Sequence, residues 1–196
     1  HLCGGRYRPF ANVVALTDGL VCWYHRHTML DIYTLGEEVL TEKCQPVTKF
    51  DSGLRVLVDA MFETMSEADG VGLAAPQVGV SLRLFVINIH GVEKRAYINP
   101  QILETSIETD CAEEGCLSVP GVWHDVVRPA RVNVQAQDIE GKPFTVKADG
   151  LLARAIQHEN DHLNGTLFID RLSAEERESM VKAYEKRNRP RKRRKA

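Results

Sequence analysis

Apolar and polar positions divide the chain into regular segments from residue 51 onward. Leu54, Leu57, Val58, Met61 and Met65 recur three or four residues apart, the spacing of a helix with one buried face. Asp51 or Ser52 can cap its start, and Gly70 lies beyond its end. Residues 82–89 form an apolar stretch of strand length, and shorter strand-like pieces follow at 96–98, 102–109 and 131–137. The last meets 144–147 across Glu140-Gly141, a pairing that predicts a hairpin. Asp149-Gly150 opens a second helix to about Leu163, closed by Asn164-Gly165. Ser173-Ala174-Glu175-Glu176 is a capping box for a third. Helices at three separate points, with strands between them, predict an α+β domain without internal repeats. Its sheets are expected to be short, mixed and mainly antiparallel, packed around the central helix, with a further helix at the C-terminus.

Residues 1–28 do not share this order. They hold neither period for long and scatter Arg6, Arg8 and Arg26 among glycines and aromatics. A transit peptide would be serine-rich and amphipathic, and a secretory signal would carry a continuous apolar middle. The segment reads as a leader or non-native extension, expected to be dispensable, with Met29 as the natural start. The domain is then expected over 29–187, followed by a basic, flexible tail at 188–196.

Composition narrows the class. A chain of 196 residues, 43% hydrophobic and 27% charged, suits one ordinary globular domain. No apolar run is long enough to span a bilayer, so a membrane partner is not expected. Five cysteines, an odd number without framework spacing, point to a reducing compartment, taken here as the cytoplasm. The net charge of −2 conceals an asymmetry: eight basic residues and no acidic one lie between Lys186 and Lys195. An acidic body with a basic end suggests an anionic partner for that end alone.

The strongest chemical signal is His158-Glu159-Asn160-Asp161-His162. On a helix, positions four apart share a face, so both imidazoles can bind one metal ion, and Glu159 can serve a nearby water as general base. The flanking Leu151, Leu152, Ala155, Ile156 and Leu163 imply a buried helix, where such polar groups need partners. A third ligand remains to be found. No histidine follows His162, and Glu175, Glu176 and Glu178 belong to the capped terminal helix. Cys116, in Glu114-Gly115-Cys116-Leu117-Ser118, would complete a Cys-His-His set with a position left for water. Two other readings stay open on spacing alone. One is a zinc protease using a downstream Glu; the other is a closed structural site that adds Cys111, itself more simply read as structural. The segment Gly70-Val71-Gly72-Leu73-Ala74-Ala75-Pro76-Gln77 offers small residues for close backbone approach and one amide donor.

Together these three segments resemble the signatures of the peptide deformylase family: Gly-x-Gly-x-Ala-Ala-x-Gln, Glu-Gly-Cys-Leu-Ser and Gln-His-Glu-x-Asp-His, here 70–77, 114–118 and 157–162. The resemblance extends from about Met29 to the terminal helix. It implies hydrolysis of the N-terminal formyl group of nascent formyl-methionyl polypeptides, with release of formate. It further implies that Cys116, His158 and His162 bind the metal, making the central helix the metal-binding one, and that Glu159 is the acid/base. Gln77 and the Leu117 N–H would stabilise the oxyanion. Gly72 would pair with the substrate backbone, and Val71, Leu151 and Ala155 would line the methionine pocket. Arg154 falls at another pocket position but is less apolar than some relatives there. Glu114 and Arg128 would form an ion pair supporting the Cys116 loop. Fe²⁺ is the implied ion, with Zn²⁺, Ni²⁺ or Co²⁺ as substitutes. A monomer is expected, with ribosome docking near the exit tunnel through the basic C-terminal helix and tail.

Overall fold

The structure, a computed structural model, describes residues 29–188. Expectations for 1–28 and for the tail beyond 188 lie outside the described residues. Helix α1, Ser52–Glu67, starts where Asp51 accepts the Leu54 N–H at 3.1 Å. Strand β1, Gly72–Ala74, follows, then a 3-10 turn at Ala75–Val78 and strand β2, Leu84–Ile87. Strands β3, Arg95–Thr105, β6, Arg131–Gln137, and β7, Pro143–Asp149, complete a five-stranded antiparallel sheet in the order β1-β2-β3-β6-β7. Strands β4, Thr109–Gly115, and β5, Trp123–Pro129, form a separate two-stranded sheet. Helix α2, Gly150–His162, comes next, and helix α3, Ala174–Asn188, ends the described chain. The α+β expectation holds.

The sheet is covered on both faces, which explains the unbroken apolar run in β2. Leu84 and Val86 join Leu54, Val58, Met61 and Met65 of α1 in one core. The alternate residues Phe85 and Ile87 join Ala153, Ala155 and Ile156 of α2 in the other. Helix α2 is thus the central helix, held between the sheet and the β4–β5 hairpin. A third apolar cluster, built from Val119, Val122, Val126, Leu167, Phe168 and Ile169, joins that hairpin to the 3-10 turn at Phe168–Arg171 and to α3. The capping box of α3 is formed as read: Glu176 N–H donates to Ser173 Oγ at 3.3 Å, and Ser173 N–H donates to Glu176 Oε2 at 2.9 Å.

Three differences from the sequence reading have physical causes. Pieces 96–98 and 102–109 are largely one strand, β3, interrupted by a register shift after Ile98. There Asn99, at φ 51°, spans to Val47 and to Gln137 by side-chain hydrogen bonds of 2.8–2.9 Å. The glycine-rich 70–77 segment is more than a turn, since Gly72–Ala74 pairs with β2. The β4–β5 hairpin was not foreseen because its inward face carries Glu114 and Arg128, both buried, beside Val126, so no apolar alternation marks it.

Candidate metal centre

Cys116 follows the end of β4, and His158 and His162 lie one turn apart on α2. The fold brings their ligand atoms within 4.8 Å of one another, the one such Cys/His/Asp/Glu group among the described residues. Cys116 Sγ stands 3.3 Å from His162 Nε2. His158 turns its Nδ1 to Glu114 Oε2 at 2.9 Å, which directs Nε2 the other way. Burial would raise the Cys116 thiol, but His162 and His158 outweigh it and hold the thiol well below its ordinary value. One thiolate and two imidazoles, His162 buried and the other two partly so, converge as suits a borderline-soft divalent ion. Neither alternative donor joins them. Glu175, Glu176 and Glu178 are exposed on α3, and Cys111 is exposed on β4.

Glu159 is buried beside the three and its Oε2 has no hydrogen-bond partner among the described residues. Burial pushes its carboxyl up to about 7, against the pull of His158 and His162 and with help from Cys116. A carboxyl so placed can take and return a proton near neutrality. Gln77 is also buried. Ala74 N–H donates to its Oε1 at 2.8 Å, which fixes the amide with Nε2 toward Ser118 Oγ at 3.1 Å and Cys116 Sγ at 3.5 Å. The amide therefore presents its donor end beside the thiol.

Behind the histidines lies a buried ionic cluster. Glu114 accepts two hydrogen bonds from Arg128, at 2.6 and 2.9 Å, and one from Arg154 at 2.7 Å. Burial would raise its carboxyl, but His158 and Arg128 hold it down at about 2. Arg128 also donates to Asp161 at 2.8 Å, and Asp161 is held in turn by Arg171. The Glu114–Arg128 pair was implied by resemblance; Arg154, Asp161 and Arg171 were not foreseen in it. Arg154 donates to the carbonyls of Val126 at 2.8 Å and Asp110 at 3.0 Å, fastening α2 beneath the hairpin. Its chemical type, a long cation on the same helix face as Gln157, His158 and Asp161 in a helix flanked by apolar residues, was the available signal.

A cavity of about 500 Å³ opens onto the centre, lined among others by Val71, Gly72, Leu151, Arg154, Ala155 and Trp123. The four residues implied for substrate contact all fall on this lining; Trp123, half-exposed at its edge, was not anticipated. The polypeptide deformylase family model matches residues 29–178. The peptide deformylase of Treponema pallidum (strain Nichols) is 49% identical over 79% of this chain and 95% of its own length. That of Chromobacterium violaceum is 52% identical over 74% of this chain and 87% of its own. The crystal structure of a peptide deformylase from Legionella pneumophila superposes with a TM-score of 0.80 at 45% identity, covering 85% of this chain and 99% of that one.

Proposed function

Since the chain belongs to the polypeptide deformylase family, metal-dependent hydrolases that remove the N-terminal formyl group from nascent polypeptides, we propose that Cys116, His158 and His162 hold its metal and Glu159 moves the proton. The observation that carries this assignment is the convergence of the three ligand atoms next to a buried carboxyl with a free oxygen. Fe²⁺ fits the mixed thiolate and imidazole donors, and Zn²⁺, Ni²⁺ or Co²⁺ could substitute. When bound, the ion supplies Lewis acidity to water and to the formyl oxygen.

The protein's own groups divide the remaining work. Glu159 accepts a proton from the attacking water, whose oxygen bonds to the formyl carbon. Gln77 Nε2 and the Leu117 N–H donate to the oxygen that gains charge. Glu159 then delivers its proton to the amine nitrogen as the C–N bond breaks and formate leaves. Gly72 pairs with the substrate backbone, and Val71, Leu151 and Ala155 enclose the methionine side chain. Arg154, turned toward Glu114, supports this wall.

The self-sufficient domain is proposed to be 29–187, acting as a monomer. No helix among the described residues is long and apolar enough to cross a membrane. With nascent chains as substrates, the place of action is the cytoplasm, near the ribosomal exit, with the basic end of α3 and the tail as the contact. Formate release from formyl-Met peptides by anaerobically purified protein, with metal analysis of the same sample, tests the assignment. Activity that tracks neither iron nor any divalent ion would overturn it.

A further inference from the structure

Helix α3 buries no side chain among the described residues, and it rests on the body through Met180, Val181 and Tyr184 against the Val119–Val122 cluster. Its last turn adds a different kind of contact. Arg187 Nη1 donates to the Gly121 carbonyl at 3.2 Å, and Asn188 Nδ2 donates to the Pro120 carbonyl at 3.4 Å. Gly121 has φ +83°, and a Cβ there would stand 2.4 Å from Arg187 Nε, so the arginine lies directly on bare backbone. The guanidinium is 6.0 Å from the centroid of the Trp123 ring. Trp123 in turn lies over Gly115, where a Cβ would be 2.5 Å from its Cδ1. All four residues from Pro120 to Trp123 line the cavity.

We propose that Arg187 and Asn188 are positioning residues for this wall of the substrate cleft, setting how well residues downstream of the formyl-methionine are held. The proposal rests on the cavity being the formyl-methionine site. A substrate reduced to formyl-methionine is held, on that reading, by Val71, Leu151 and Ala155 and by none of the Pro120–Trp123 segment. A longer one has the half-exposed Trp123 and the backbone before it within the same cavity to meet. The end of α3 is where that ring and the backbone before it find their outer support. Arg187 touches no proposed metal ligand, so its influence should fall on binding of the extended chain and not on chemistry.

The test compares metal-loaded full-length protein and Arg187→Ala on formyl-methionine amide and on a formyl-Met tripeptide. Arg187→Ala should raise KM for the tripeptide about fivefold, the weight of one hydrogen bond, with kcat within about twofold. KM for formyl-methionine amide should not move. Arg187→Lys should recover part of the loss, since an ammonium can still reach the Gly121 carbonyl. In a Trp23→Phe background, Trp123 emission should shift to the red in Arg187→Ala. An unchanged tripeptide KM, an equal rise for both substrates, or a collapse of kcat would each overturn the proposal. Failure of the parent protein on both substrates would instead sink the reading of the cavity, and this proposal with it.

Discussion

Glu159 occupies the space that a side chain at Gly72 would need: a Cβ built on Gly72 would stand 2.3 Å from Glu159 Oε1 and 2.8 Å from its Cδ. The edge strand β1 and helix α2 therefore meet at the proposed acid/base, and the glycine is what lets them close. Strand β1 is also where the substrate backbone is proposed to pair, so one residue sets the spacing between substrate and carboxyl. Gly72→Ala should displace Glu159 by about 1 Å and lower kcat on formyl-Met peptides by about 100-fold, with metal content unchanged. Parent-like turnover would show that the carboxyl has room the geometry denies it.

Glu159→Gln separates proton transfer from shape. The amide fills the same space but cannot accept the water's proton. Rate should fall by about 100- to 10,000-fold while stoichiometric metal is retained. A variant hydrolysing at near the parent rate would remove Glu159 from the acid/base role.

Metal retention should divide the ligands from their neighbours. Cys116→Ser offers a harder oxygen in place of a thiolate, and His162→Ala leaves two donors. Both should lose tightly bound metal on dialysis and lose activity with it. Full metal in Cys116→Ser would mean that the third donor lies elsewhere.

How much of this was legible in the sequence depended on where burial followed the usual chemistry. Helix α1, the β6–β7 hairpin and α2 carry regular apolar periods, and α3 announces itself by its capping box. The site's three segments were equally plain, because each carries its chemistry in a short run. The β4–β5 hairpin breaks the rule that inward means apolar: Glu114 and Arg128 face inward there and find each other, Arg154 and His158. Nothing local could say which distant cation would neutralise Glu114. Strand β3 reads as two pieces because Asn99-Pro100 stands at its register shift, and β1 is too short to show a period.

That same cluster sets an expectation for stability. Glu114 is buried and accepts hydrogen bonds from Arg128, Arg154 and His158. Glu114→Ala would leave two buried guanidinium groups without their shared carboxylate, a loss of about 3–5 kcal/mol. It would also free the His158 ring and weaken metal binding by about 10- to 100-fold. Urea denaturation and a chelator competition measure the two separately. A midpoint equal to the parent's would mean that Asp110 and Asp161, which also pair with these arginines, take over the charge.

The final prediction concerns the basic residues beyond α3. The helix carries Lys186 and Arg187 in its last described turn, and six further basic residues stand between Arg189 and Lys195. Contacts to phosphate release counterions, so binding that depends on them should weaken steeply as salt rises. Removing 189–196 leaves Arg187 and Asn188 on the cleft wall, and so should spare hydrolysis of short formyl peptides. Ribosome co-sedimentation at low salt should fall on truncation, and in the full chain it should fall as salt is raised. Equal co-sedimentation of the two proteins would reduce these charges to a solvated end, while the metal centre and its chemistry would stand without them.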